Sequence, residues 1–389
     1  ELAWEMNLPL PDNYEFVFLH HGNIGSIAFN LFCMLSNIKM FFADTKDNYI
    51  FTYASLLQNI PFIPALYNNI LGVDYNGEKY EKIFYLFQKQ YTILYIARDP
   101  ISIIKSRLNH PDGAPFENIT ENMKNITYFN NDFKNLFPKM AYGFHSLEKA
   151  DIRHIRGYLW DYSLDLSYPI FKNTIKKIMF INFNSICSKY AFNTFVFLCH
   201  QLNYNPPLKK YQILFEKRIL KDQGLFHLPV KIHIDKFIVW IYSYYDYIVN
   251  INKVVNYVDI GDDICKEYSF SILENIILLA DQDTKNKISK NDKISMIFKE
   301  YIIKYIQALD LYVKDIRDNL ITEEQVLDYI GKDVNLMYEV KSMIDKNQRL
   351  INYYNPEYLK TWKYYQEFEK MCEELDGKEE SLKENISNN

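Results

Sequence analysis

Phe16-Val17-Phe18-Leu19-His20-His21-Gly22-Asn23-Ile24-Gly25-Ser26, followed at once by the apolar segment Ile27 to Leu35, is the stretch from which the rest of the chain can be ordered. Four apolar residues run into a loop that carries two of only eleven glycines in the chain, and a segment of helix length rich in Ala, Phe, Leu and Met follows. This pattern reads as buried strand, tight loop and buried helix. In such a loop, consecutive backbone N–H groups and the positive end of the helix dipole converge on an anion. Glycine lets a ligand come close to the backbone, and Ser26 adds a hydroxyl donor. No GxxxxGK[ST] pattern is present, so an ordinary ATP- or GTP-hydrolysing P-loop is disfavoured. A plain strand-to-helix turn with no ligand gives the same pattern, so the loop alone decides nothing.

Two further strand–helix pairs extend the pattern. Residues 91–97 (Tyr91-Thr92-Ile93-Leu94-Tyr95-Ile96-Ala97) read as a second buried strand, stopping at Arg98-Asp99-Pro100 before a helix over Ile101 to Leu108. Proline suits the first helical turn, where its missing N–H costs nothing. Residues 178–183 read as a third strand, followed by a helical run from Lys189 to Leu202 that closes on Asn203-Tyr204-Asn205-Pro206-Pro207. Strands alternating with helices predict an α/β fold, a three-layer core with a parallel sheet covered on both faces. Residues 110–157, with Pro111, Gly113, Pro115 and Pro138, read as an irregular insertion with short helices. Residues 225–242 have room for one more strand. From about 264 the pattern predicts helices over Phe270–Ala280, Ile294–Asp310, Thr322–Tyr329 and Asn335–Asn352, with Thr322-Glu323-Glu324-Gln325 as a capping box. The expected organisation is a nucleotide-binding core at 1–215 interrupted at 110–157, a mostly helical region for acceptor or partner at 216–366, and a charged tail at 367–389 that frays or is disordered.

Composition narrows the function. The 389 residues carry 44 Lys and Arg against 49 Asp and Glu, a net charge of −5, and 48% are apolar. That content supports a buried core and argues against disorder for most of the chain. The negative balance argues against a nucleic-acid partner. No run of 18 uninterrupted apolar residues occurs, which predicts no transmembrane segment. Residues 1–15 hold Glu1, Glu5, Asp12 and Glu15 and no cationic stretch, so no signal peptide is expected there. Five cysteines without a CxxC pair or histidines at zinc-ligand spacing predict a reducing, cytoplasmic setting and no metal. The 33 Tyr and 27 Phe residues reflect AT-rich coding or provide stacking platforms for sugars or bases; the sequence nominates none of them.

Arg98 and Ser106 are the second candidate constellation. A guanidinium at a strand end and a hydroxyl two helical turns on can grip one phosphate, by a bidentate fork and a further hydrogen bond. The bland alternative pairs Arg98 with Asp99 or another carboxylate and leaves Ser106 solvated.

Together the loop, the Arg98-Asp99-Pro100 strand end with its serine eight residues on, and the strand–turn–helix from Ile178 to Tyr204 resemble the sulfotransferase family. The three elements follow that family's order and span about residues 16–207. The resemblance implies that His21-Gly22-Asn23-Ile24-Gly25-Ser26-Ile27 cradles the 5′-side of a 3′-phosphonucleotide donor, and that Arg98 and Ser106 hold its 3′-phosphate. The family's loop carries a lysine where this chain has Asn23, so either His20 or His21 supplies the cation, or a lysine arrives from elsewhere in the chain, or the donor differs from the family's usual one. The opening segment Glu1 to Phe16 and the Asn/Tyr/Phe/Lys-rich texture also resemble an ε-proteobacterial family of surface-glycan clusters, which includes proteins assigned as capsular O-methyl phosphoramidate transferases. That resemblance implies a donor such as cytidine 3′-phospho-5′-diphosphoramidate, or a PAPS-like one, and a glycan hydroxyl as acceptor, with phosphoramidate ahead of sulfate. It also implies a chain at work in the cytoplasm, with peripheral contact at the inner face of the inner membrane compatible with its substrates.

The mechanism implied is in-line attack by the sugar hydroxyl, with the loop N–H groups and Ser26 stabilising the leaving phosphate. His20 and His21 are the expected base and cationic partner, with Asp44, Asp47 and His110 as weaker candidates. Two rivals stay open. A nucleotide-sugar glycosyltransferase would use acidic pairs such as Asp161 and Asp165 or Asp259, Asp262 and Asp263. A non-catalytic assembly protein would carry a degenerate loop and bind partners through its helical half.

Overall fold

The computed structural model describes residues 2–42, 46–58, 62–67, 81–111, 119–127, 133–142, 147–159, 172–217, 225–290 and 292–387. They form two compact units. One comprises Glu1–Leu108, Asp151–Pro207 and Ile321–Asn389, and the other Asn109–Ala150 and Leu208–Leu320. Among the described residues no helix is long and apolar enough to cross a membrane.

The first unit is α/β. Strands β1 (Phe16–His20), β2 (Lys39–Phe42), β3 (Phe62–Tyr67), β4 (Tyr91–Ala97) and, after β5 of the other unit, β6 (Ile175–Asn182) form a parallel sheet in the order β2-β3-β1-β4-β6. Every residue of β1 and β4 is buried, as strands covered on both faces must be. The edge strand β6 starts with exposed Lys176 and Lys177, which discourage pairing with another chain. Helix α1 (Ser26–Leu35) buries Phe29 and Phe32. Phe29 stacks on Phe18 of β1 at 4.7 Å, and Phe29 and Phe32 meet Phe195 of the helix α3 (Ser188–Gln201) at 5.2 and 5.0 Å. Between them in the chain lies helix α2 (Pro100–Leu108), with proline in its first turn.

All three expected strands are present. Strands β2 and β3 carry no clear strand signal in the sequence. Both are short, and β3 contains Pro64 at an interior position of the sheet, where the missing N–H removes a ladder bond and a proline argues against a strand.

The second unit has a sheet of its own, where mostly helix was expected. Strands β5 (Asn125–Thr127), β7 (Val230–Ile234), β8 (Phe237–Ser243), β9 (Val258–Asp259) and β10 (Ile276–Ala280) lie in the order β5-β7-β8-β10-β9. The single strand expected over 225–242 is a hairpin, turning at Asp235 with φ 52°. The helix expected over Phe270–Ala280 is a short 3-10 turn and β10. Ile276-Ile277-Leu278-Leu279-Ala280 is continuously apolar, so periodicity does not separate strand from helix there. The insertion supplies β5, paired in parallel with β7. One face of this sheet packs on helix α4 (Lys293–Asp318), which buries Phe298, Tyr301, Ile302, Tyr305, Ile306, Leu309 and Val313 at helical spacing.

The helices α5 (Glu323–Ile330), α6 (Val334–Tyr354) and α7 (Lys363–Ser387) belong to the first unit. The Thr322 capping box forms: Gln325 N donates to Thr322 Oγ1 at 3.2 Å, and Thr322 N donates to Gln325 Oε1 at 2.9 Å. The tail expected to fray after 367 is instead the body of α7. Its start is held by Asp99. The buried carboxylate of Asp99 accepts from Ile101 N (2.9 Å) and Ser102 N (3.4 Å) through Oδ1, and from Tyr364 N and Tyr365 N (both 3.1 Å) through Oδ2. One side chain thus serves the unsatisfied first-turn amides of both α2 and α7. Lys341 of α6 bridges Asp345 and Glu369, tying α6 to α7 further along.

Asp99→Asn replaces an acceptor oxygen by an NH₂ facing two amides. The expected loss is about 2–4 kcal/mol of stability. Amide exchange should accelerate at Tyr364 and Tyr365, and unchanged exchange there would show that α7 is held by other contacts.

Candidate anion site at the sheet switch point

The chain leaves β1 toward β2 and β3 on one side and returns to β4 and β6 on the other. The carboxyl ends of β1 and β4 therefore flank the point where strand order reverses, where open α/β sheets bind ligands. Residues 21–26 leave β1 at this end. Asn23 (φ 71°) and Gly25 (φ 93°) both lie in the left-handed region, and Gly25 caps α1. Gly25 is required twice over. Its φ is strained for other residues, and a Cβ there would sit 2.7 Å from Phe183 Cε2. Two left-handed residues in a short loop that ends at the N-terminus of α1 give the chain the pattern of an anion cradle. Ser26 Oγ is enclosed and has no hydrogen-bond partner among the described residues, as fits a donor awaiting an acceptor.

Arg98 reaches this loop. Its Nη1 donates to the carbonyl of Asn23, and its guanidinium carbon lies 4.3 Å from the centroid of the Phe183 ring, on the 3-10 turn that follows β6. Three consecutive strand ends therefore meet: the loop after β1, Arg98 after β4 and Phe183 after β6. Arg98 does not pair with Asp99, whose carboxylate is committed to the four amides described above.

Ser106 is half-buried on α2. It shares a helical face with Ser102, whose Oγ donates to Glu323 Oε1 at 3.0 Å, and with Lys105, whose Nζ is 3.3 Å from the same carboxylate. No hydrogen bond among the described residues joins Ser106 to Arg98 or to the loop. The structure brings together Gly22 to Ser26 and Arg98; Ile27 is exposed on the first turn of α1, and Ser106 stands on the face that meets α5.

The two histidines are both buried. His20 is buried, its ring stacked near Phe18 at 5.8 Å, and burial pushes its pKa down to about 3. His21 is fully enclosed, with Nδ1 2.9 Å from Gly22 O and its ring 5.9 Å from Tyr95. Burial first, then the positive charge of Arg107, holds it well below the usual range. Burial disfavours the charged form of both rings, and a group with a pKa near 3 is a poor base for a sugar hydroxyl. They form the buried floor of the loop.

Arg107 is the charge the sequence reading missed. It is buried on α2, donates to Tyr158 O at 2.9 Å, and its field is felt at His21. The signal was present: Arg107 follows Ile103 and Ile104 at helical spacing, on the apolar stripe. Phe183 had no signal beyond its position after β6.

Of the other candidates, Asp44, Asp161 and Asp165 lie outside the described residues. Asp47 is exposed in the first turn of the helix Lys46–Leu56. His110 belongs to the second unit and is exposed, with Nδ1 2.8 Å from Pro111 O. Asp259 accepts from Gly261 N at 2.8 Å, and Asp263 pairs with Lys285 at 3.2 Å. Among the described residues no group of three or more His, Cys, Asp or Glu is placed to hold a metal ion.

Two outcomes are expected. His20 takes up a proton near pH 6.5 when unfolded and near pH 3 when folded, so the unfolded state binds more protons between these values. Its contribution to stability is present above pH 6.5 and is lost as pH falls toward 3, at up to about 1.4 kcal/mol per pH unit. Urea titrations of His20→Phe should show a shallower acid loss than the parent; parallel slopes would mean that His20 titrates normally. Gly25→Ala should cost about 1–3 kcal/mol, from its φ and the clash with Phe183, read in the same titrations.

Residues 180–375, about half of the chain, match the family described as "Protein of unknown function (DUF2972)". No curated protein and no solved structure matches the chain. The matched span begins within β6, includes Phe183, both tyrosines whose amides meet Asp99, and most of α7, while the loop after β1 and Arg98 lie before it. The chain belongs to the DUF2972 family.

Proposed function

We propose that the first unit is the donor-binding core of a transferase. It moves a phosphoramidate or sulfuryl group from a 3′-phosphonucleotide to a hydroxyl of a surface glycan. The observation that carries this reading is the bond from Arg98 to the carbonyl of Asn23, which sets a guanidinium beside a helix N-terminus at the sheet switch point. The sulfotransferase resemblance expects a lysine at the position of Asn23. Arg98 brings the missing positive charge to that residue, and the histidines need not provide it.

A guanidinium has five donors, so one bond to Asn23 and a bidentate grip on phosphate are compatible. In this reading the N–H groups of Gly22 to Ile27 and Ser26 Oγ take the leaving phosphate, and Arg98 takes the ribose-side monoester. Arg107 adds positive potential from behind His21. Ser106 contributes a second donor to the monoester only if α2 presents it there. Transfer through a loose transition state asks for little proton abstraction before bond breaking, so positioned charge carries most of the catalysis. That fits a site rich in guanidinium with two buried histidines. The phosphoramidate preference over sulfate, and work at the inner face of the cytoplasmic membrane, rest on the resemblance alone.

The experiment is a thermal-shift panel with cytidine and adenosine 3′,5′-bisphosphates against the matching 5′-monophosphates. At about 100 times Kd a bisphosphate should add about 2.7 kcal/mol of stability, and the monophosphates clearly less. Arg98→Ala should abolish the difference while the fold persists. Equal responses to both nucleotides, or a preference surviving in Arg98→Ala, would refute the assignment. A response to nucleotide sugar with manganese alone would point to the glycosyltransferase instead.

A further inference from the structure

The second unit has an open cleft of about 560 Å³ that none of the preceding chemistry uses. Its construction starts at Ser243, whose hydroxyl accepts from Asp246 N at 3.1 Å and donates to the buried Asp246 carboxylate. This cap starts the short helix Tyr244–Val249, and the i, i+3 spacing puts Tyr244 and Tyr247 on one face. Tyr211 and Tyr257 line the same cleft. Asp259 lines the cleft together with these phenols. Burial raises Tyr244 to about 12, with the charge of Asp259 adding to it, and Tyr247 is raised by burial, then Asp259, then the neighbouring Tyr211. Asp259 is oriented by its bond from Gly261 N. Two ammonium groups stand at the cleft, Lys217 with Nζ 5.2 Å from the centroid of the Tyr244 ring and Lys210 4.9 Å from that of Tyr211.

We propose that this cleft binds an acidic saccharide. Sugar rings offer C–H faces to aromatic rings and hydroxyls to carboxylates and phenols, and tyrosines around Asp259 supply both kinds of partner. The two lysines select a sugar carrying a carboxylate. An apolar peptide would leave four phenols and a carboxylate desolvated without partners. The volume lies in the range of small-molecule sites. Saccharide binding by this cleft needs no nucleotide and stands apart from the transferase reading.

Calorimetric titration of the full chain, without nucleotide, tests it with trigalacturonate as the probe and maltotriose as the neutral control. Trigalacturonate should bind at least about tenfold tighter. Lys210→Met/Lys217→Met should erase that preference. Tyr247→Ala should weaken binding about tenfold with an unchanged circular-dichroism spectrum. Absence of binding, equal affinity for both sugars, equal affinity for an oligoglutamate, or an unaltered Tyr247→Ala would overturn the proposal. Failure here with an intact nucleotide response would remove the saccharide cleft and leave the donor site standing, and the converse result would do the reverse.

Discussion

One carboxylate accepting four backbone amides is the joint on which the first unit depends. Asp99 sits between Arg98, which reaches the loop after β1, and Pro100, which opens α2, and it also holds the first turn of α7 from more than 260 residues away. Three adjacent residues therefore fix three things: the charge at the switch point, the start of a core helix and the docking of the C-terminal helix. Burial raises the pKa of Asp99, and the amide bonds oppose that rise. Such a group is costly to disturb, because removing its partners leaves either a buried charge or orphaned helix amides.

This joint also explains why the chain returns to the first unit after residue 320. Lys341 ties α6 to α7, the Tyr364 hydroxyl of α7 donates to Glu324 of α5, and Ser102, Lys105 and Asp99 join α5 and α7 to the core. The family match across 180–375 covers this supporting framework and the Phe183 platform under Arg98.

The buried strands and the long helices were legible in the sequence because their signals are local. Tyr91 to Ala97 is apolar throughout, and Thr322 to Gln325 spells a capping box. The loop Gly22 to Ser26 and Arg98 were legible as candidates for the same reason. What escaped depends on long-range partners. The second role of Asp99 needs amides at 364 and 365. The β-hairpin and β10 need each other, since a continuous apolar run takes its form from the strand beside it. The lowered pKa of His20 and of His21 follows from enclosure, which no spacing rule conveys. Ser106 matched by count alone: eight residues from Arg98 place it on the helix, while its neighbours Ser102 and Lys105 show that this face meets α5.

The proposed function reduces to one physical statement: Arg98, anchored on the loop it faces, holds a phosphate beside the N-terminus of α1. A crystal structure of the chain with cytidine or adenosine 3′,5′-bisphosphate tests this most directly. The account requires a phosphate oxygen within hydrogen-bond distance of the Arg98 guanidinium and the other phosphate on the amides of Gly22 to Ile27. A nucleotide bound elsewhere, with no phosphate oxygen at the Arg98 guanidinium, would contradict it.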